Sequence, residues 1–252
     1  MYDIKNIDGF HNEIEICKYL NSKNTCDLNI MYKMFIEDLF GNISDNSIIN
    51  CNVDFDNKKF DLIISINNIV KRISVKKGIN NSVHVEGISS FIHFLIDSGV
   101  DRKAVIEYLK YHYADGTTNG TGTHRISGRE YKEKHQKDID YINEQINTPY
   151  ILKRAIHRFV LQGKNSNIAI DALLYGTLND FIWIKSEDVE NVIMNKIELY
   201  STGVHFGSLY CQPMTRCLNY NKVYEKKRFC VQIKWYTIFE DIIKNMNEKE
   251  IS

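Results

Sequence analysis

The 252-residue sequence predicts an α/β fold with a C-terminal α/β extension. Three features carry that expectation: helical apolar periodicity through residues 10–21, two β-rich runs meeting at an asparagine pair within 59–77, and amphipathic segments that alternate with short strand-like pieces toward the C-terminus. Hydrophobic residues make up 43% of the chain and charged ones 25%. That composition supports a sizeable core and excludes wholesale disorder and collagen-like or low-complexity architectures. No apolar run approaches the ~18 residues of a membrane span. The opening MYDIKNIDGFHNEIEI is too polar for the apolar segment of a signal peptide. A soluble, cytoplasmic protein without a membrane partner is therefore expected.

FHNEIEICKYLN (10–21) reads as a helix. On a 100° wheel Phe10, Ile14, Ile16, Cys17 and Leu20 form one apolar arc, with Glu13 inside it and Glu15 opposite. A carboxylate on a buried stripe is costly unless paired or metal-bound, which makes Glu13 a candidate functional group.

KFDLIISINNIVKRISVKK (59–77) is the most informative stretch. Asn67-Asn68 tolerates the left-handed turn of a two-residue hairpin loop. With that turn Ile66 faces Ile69, Asp61 faces Ser74, and Lys76 lies diagonal to Asp61 on the same face, about 7–8 Å away. The other face collects Phe60, Leu62, Ile64, Ile66, Ile69, Ile73 and Val75, interrupted by Lys71.

After a loop at Gly78, Asn80 and Asn81, a helix is expected from near Val85 to Ser98-Gly99, packing through Ile88, Phe91, Ile92 and Leu95 and placing Glu86 in its first turn. Further helices are expected at 101–113, 129–147 and 149–162, the last punctuated by Thr148, Pro149 and Gly163. ADGTTNGTGTHR (114–125) reads as a mobile loop; it lacks the G-K-[ST] ending of a phosphate-binding loop. Residues 165–252 mix strands near 168–175, 181–184 and 229–235 with helices at 186–197 and 236–246. A core over 1–100 and a helical and mixed extension over 101–252 are expected, with no clean linker between them, so one continuous domain is preferred.

Lys and Arg total 32 and Asp and Glu 32, but the balance hides a gradient. Residues 1–100 hold 10 basic and 13 acidic side chains, net −3; 101–170 hold 12 and 8, net +4; 171–252 hold 10 and 11, net −1. A local basic face beside an acidic cluster suits an enzyme that holds phosphate and metal, and suits less a protein that coats nucleic acid indiscriminately. The six cysteines contain no C-x-x-C pair and read as reduced; His205, Cys211, Cys217 and Cys230 match no common zinc spacing.

The order helix Glu, strand Asp, hairpin, x-Lys, helix resembles the PD-(D/E)xK nuclease superfamily, which includes most type II restriction endonucleases. Over residues 10–97, Asp61 takes the strand Asp position, Lys76 the lysine and Glu13 the upstream helix Glu. Phe60 stands where the family has Pro, and Ser74 where it has Asp or Glu. A subset of restriction enzymes has Ser-x-Lys on this strand and takes a Glu from the following helix, and Glu86 resembles that replacement.

The resemblance implies a restriction-endonuclease-like core with a mixed central sheet flanked by helices. It also implies Mg²⁺-dependent hydrolysis of double-stranded DNA by a homodimer, beside a separate cognate methyltransferase. Asp61, Glu86 and the Val75 carbonyl would hold the cation, a hard ion that prefers oxygen. Lys76 would orient water or stabilise the transition state, with Glu13 in support. Candidate DNA contacts are Lys77, Asn81, Ser82, His84, Thr121, Arg125, Lys153, Arg154, Arg158 and Arg216. A rival pairing is Asp171 with Gln232-Ile233-Lys234. Other readings are a repair or structure-specific nuclease and an inactive nuclease fold that binds DNA.

Overall fold

A computed structural model of the chain describes residues 4–56, 58–78, 81–164, 166–194, 203–214 and 222–251. In chain order the elements are α1 (Ile4–Leu20), α2 (Ile30–Phe40), β1 (Asn50–Val53), β2 (Leu62–Ile66), β3 (Ile69–Lys76), β4 (Ser82–Gly87), α3 (Ile88–Asp97), α4 (Arg102–Tyr113), α5 (Gly128–Ile146), α6 (Pro149–Ile156), β5 (Ala172–Gly176), β6 (Phe181–Lys185), α7 (Ser186–Met194), β7 (His205–Phe206), β8 (Leu209–Pro213), β9 (Cys230–Trp235) and α8 (Ile238–Ile251). The fold is α/β, as expected. Among the described residues no helix is long and apolar enough to cross a membrane.

The chain does not divide near residue 100. One unit is Met1–Ile79, Val160–Glu190 and Ile238–Ser252, and the other is Asn80–Phe159 with Asn191–Thr237. The reason is topological: β3 and β5 are parallel neighbours, so the chain needs a long crossover between them, and residues 80–159 of that crossover belong to the second unit.

The first unit is built on a mixed five-stranded sheet in the order β1-β2-β3-β5-β6. The meander β1-β2-β3 is antiparallel, β5 joins β3 in parallel, and β6 returns antiparallel to β5. Leu62, Ile64 and Ile66 alternate inward, with Ile73 and Val75 beside them, against Ile16 and Leu20 of α1 and Tyr32, Phe35 and Ile36 of α2. Ile69, expected on that face, lies at the hairpin end and is exposed. Asn29 caps α2 by accepting from Tyr32 N at 2.9 Å, and Gly41, φ +72°, ends it.

The hairpin forms in the expected register, Ile66 opposite Ile69 and Leu62 opposite Ile73. Asn67 and Asn68 take φ of +47° and +68°, as a two-residue turn with left-handed central residues requires.

The second unit holds an antiparallel sheet in the order β4-β9-β8-β7 with α3, α4, α5 and α6. Its core is aromatic: Phe91 packs on Tyr108 and Phe159, and Phe94 on Phe159 and Phe206. The helix expected from Val85 begins at Ile88 instead, because residues 82–87 pair with β9, Glu86 opposite Val231. The Gly/Thr loop is tied down rather than mobile. The Asp115 carboxylate accepts from Thr117 N at 2.9 Å, Thr117 Oγ1 at 2.8 Å, Gly122 N at 3.1 Å and Arg228 at 2.6 Å.

The turn yields a test of the register. Asn68→Val puts a β-branched residue at positive φ and is expected to cost about 1–2 kcal/mol, whereas Asn68→Gly costs nothing. Urea unfolding of the two variants checks this, and equal midpoints would contradict the turn.

Candidate active site

Asp61 enters the sheet one residue before β2, and its N–H donates to Ile73 O at 2.8 Å. The carboxylate then folds over the neighbouring strand. Its Oδ2 accepts from Val75 N at 2.6 Å, from Ser74 Oγ at 3.1 Å and from Lys76 Nζ at 3.4 Å. Lys76 Nζ also donates to Val75 O at 2.9 Å. The side chains of Asp61 and Lys76 are each 23% exposed, so the pair is shielded from water but open to a ligand. The expected juxtaposition is met and is closer than the strand geometry alone requires. Ser74, fully buried, does not copy the missing acid; it holds the acid across from it.

Glu13 reaches this pair from α1. Burial raises its carboxyl to about 7, the Asp61 charge pushes the same way, and Lys76 pulls against both. Two carboxylates therefore share one neighbourhood. A second amine joins them: the Lys59 ammonium is held down to about 7, first by burial and then by the charge of Lys76, with Asp61 opposing. The oxygens of Asp61, Glu13 and Val75 are those able to hold a hard dication; three donors suit an ion that keeps several waters. Among the described residues no cluster of three or more His, Cys, Asp or Glu is gathered for a metal.

Glu86 is on a strand, not in the first turn of a helix, and it is engaged in its own unit. Arg158 grips its carboxylate with two donors, at 2.7 and 3.2 Å, and Ser90 Oγ donates at 2.8 Å. Burial alone would raise its carboxyl; hydrogen bonds from His84, Arg158 and Ser90, with the Arg158 charge, outweigh burial and bring it to about 2.

The candidate DNA contacts scatter. Arg158 points inward to Glu86, and Arg125 is buried, donating to the carbonyls of Tyr113, Met214 and His112. His84 packs on Phe159, Asn81 Nδ2 donates to Tyr236 O, and Ser82 pairs with Lys234 in the sheet. Thr121 is exposed, its hydroxyl on Asn119; Lys153 is exposed and Arg154 lies over the Tyr150 ring. Lys77 follows β3, half-buried, at the end of the hairpin. Arg216, and Cys217 of the zinc spacing, fall outside the described residues.

The rival pair is divided between units. Asp171 in the first unit accepts from Arg72 N at 2.7 Å, with Lys71 at 3.7 Å; Lys234 in the second lies over the Tyr236 ring. Sequence reasoning passed over Lys59 and Arg158. Lys59 had a visible signal, a lysine two residues before Asp61 at the head of a strand. Arg158 had none, because its partner is 72 residues away.

Two predictions follow from these charges. In the cation-free protein Glu13, raised above its unfolded value, gives stability that is complete below pH about 4.5 and is lost as pH rises through about 7. Glu13→Gln should therefore melt with wild type near pH 5 and above it at pH 8, as thermal unfolding in EDTA across that range will reveal. Arg158→Ala strands a buried carboxylate and should cost about 3–5 kcal/mol. Denaturant titration measures that loss, and a neutral result would show that the pair does not hold Glu86.

Compared with protein-family models and with curated proteins, the chain finds no match.

Proposed function

We propose that the chain is a Mg²⁺-dependent DNA endonuclease of the type II restriction class, working at the β2–β3 hairpin of its first unit. The observation that carries this reading is the Asp61 carboxylate 3.4 Å from the Lys76 ammonium on one polar strand face, with the Glu13 carboxyl perturbed by both. The mixed sheet that contains the hairpin agrees with the core that the resemblance implies.

The donor set fits a hard dication, since a second positive charge would relieve the crowding that lifts Glu13 toward 7. When bound, Mg²⁺ supplies a Lewis acid that neutralises phosphoryl oxygens and acidifies water. Asp61 and Glu13 would hold it, with the second lone pair of the Val75 carbonyl, whose first is taken by Lys76. Lys76 is fixed at both ends of its reach, Asp61 and Val75 O, so its ammonium is preorganised for charge developing on the phosphate. Glu13 changes protonation near neutrality and is placed to take the proton of the attacking water. Glu86 has no role in this scheme beyond its pair with Arg158. A homodimer acting on palindromic duplex, beside a separate methyltransferase, belongs to the same proposal.

Ser74 favours one other reading, an inactive nuclease fold that keeps DNA binding, because it leaves the strand without its second carboxylate. Incubating unmethylated plasmid and phage DNAs with the protein, in Mg²⁺ and in EDTA, separates the two. Discrete fragments that require Mg²⁺ and fall by about a hundredfold or more in Asp61→Asn and Lys76→Ala are expected. Retarded but uncut DNA would favour the binding protein. Cleavage unchanged in both variants would overturn this site.

A further inference from the structure

The polar face of the hairpin continues beyond the catalytic trio. Leu62, Ile64 and Ile66 turn into the core, so Asp61, Ile63 and Ser65 share the opposite face. Asn50 pairs with Ser65, and Ser65 with Val70, which makes a cross-strand row over β1, β2 and β3 on that face. The row lines a groove of about 740 Å³, completed by Asn46, Ile48 and the turn residue Asn68. None of its lining residues is charged. Among the described residues the side-chain amides of Asn46, Asn50 and Asn68 make no hydrogen bond, while Ile48 and Val70 are 57% and 43% exposed.

We infer that this groove reads base edges of the duplex that is cut at Asp61 and Lys76. The inference rests on the nuclease reading and names the specificity element of that site. Phosphate would call for cations, and none line the groove. A primary amide offers a donor and an acceptor side by side, the pattern that adenine presents at N6 and N7, and an exposed aliphatic wall suits the thymine methyl. Position agrees as well. Four residues at ~3.3 Å each place Ser65 about 13 Å along the strand from Asp61, some four base steps at ~3.4 Å. The edge strand β1, paired only with β2, leaves the groove open on its outer side. An A·T preference a few steps from the cut is the expected outcome.

The test uses the full chain and a duplex library randomised over a short window, with bound molecules selected in EDTA and cut molecules sequenced in Mg²⁺. Asn50→Ala and the Asn46→Ala, Asn50→Ala double variant lie on exposed positions, and unchanged urea midpoints will certify their folding. Wild type should enrich A·T at one or two positions. The variants should lose that enrichment and slow on the preferred sequence by about tenfold to a hundredfold, with other sequences cut as before. A preference retained in both variants overturns the inference, as does a uniform loss of affinity for all sequences, which would make the groove a backbone contact. Selection without cleavage, the same in Asp61→Asn, would sink the nuclease reading and leave base reading standing. No preference in wild type would sink the groove alone if cutting persists.

Discussion

Asn67 and Asn68, both at positive φ, close the β2–β3 hairpin in two residues and so decide which side chains share a face. A slip of one residue would send Asp61 and Lys76 toward the core and turn Leu62, Ile64 and Val75 to the polar side. The apolar alternation opposes such a slip, since those side chains are buried against α1 and α2. Turn geometry and burial thus pin the same register. Every polar contact of the site hangs on it, from the 2.6 Å bond between Val75 N and Asp61 Oδ2 to the lysine beside it.

Around that carboxylate the charges are balanced locally rather than by a single pair. Asp61 and Glu13 face Lys76 and Lys59, and each amine or acid changes the cost of ionising the next. In half-buried surroundings the strain falls on the members least able to find partners, and Glu13 and Lys59 are both drawn to about 7. Perturbation of this kind suits a site that waits for a ligand with charge of its own. Glu86 is the opposite case. Its carboxylate meets Arg158, Ser90 and His84 inside one unit and is brought to about 2, as in a stable ion pair.

Local sequence made the hairpin legible, because both its turn and its pairing lie within residues 61–76. Glu13 was legible for a related reason: one helix turn is enough to see a carboxylate on an apolar arc. β4 was not. Its partner β9 lies some 145 residues on, and the strong helical pattern of Ile88, Phe91 and Leu95 runs backward into SVHVEG without a break that periodicity could find. The division of the chain was hidden likewise, since a parallel β3–β5 pair is declared only by a contact across 99 residues, such as Arg72 N to Asp171 Oδ2. The 114–125 loop misled by composition. Its glycines sit where a Cβ would collide: one on Gly122 would lie 2.4 Å from Asp115 O, and one on Gly120 2.5 Å from the Tyr113 ring. They are there for close packing, and glycine content alone does not distinguish that from mobility.

Ser74 is where physical reading and family resemblance pull apart. By resemblance the acid missing there calls for a replacement downstream, and Glu86 stands at a plausible distance in sequence. By electrostatics the second carboxylate is already present, brought from upstream by α1 in the same unit and made uneasy by Asp61. A carboxylate engaged with arginine must be released before it can take a cation, at the cost of a buried unpaired guanidinium. One raised toward 7 by burial and a like charge gains from the cation's arrival. Free energy therefore favours Glu13 as the partner of Asp61. A serine at position 74 then has a clear task, since a hydroxyl that donates to Asp61 Oδ2 leaves Oδ1 to the incoming ion, where a third acid would have raised the repulsion further.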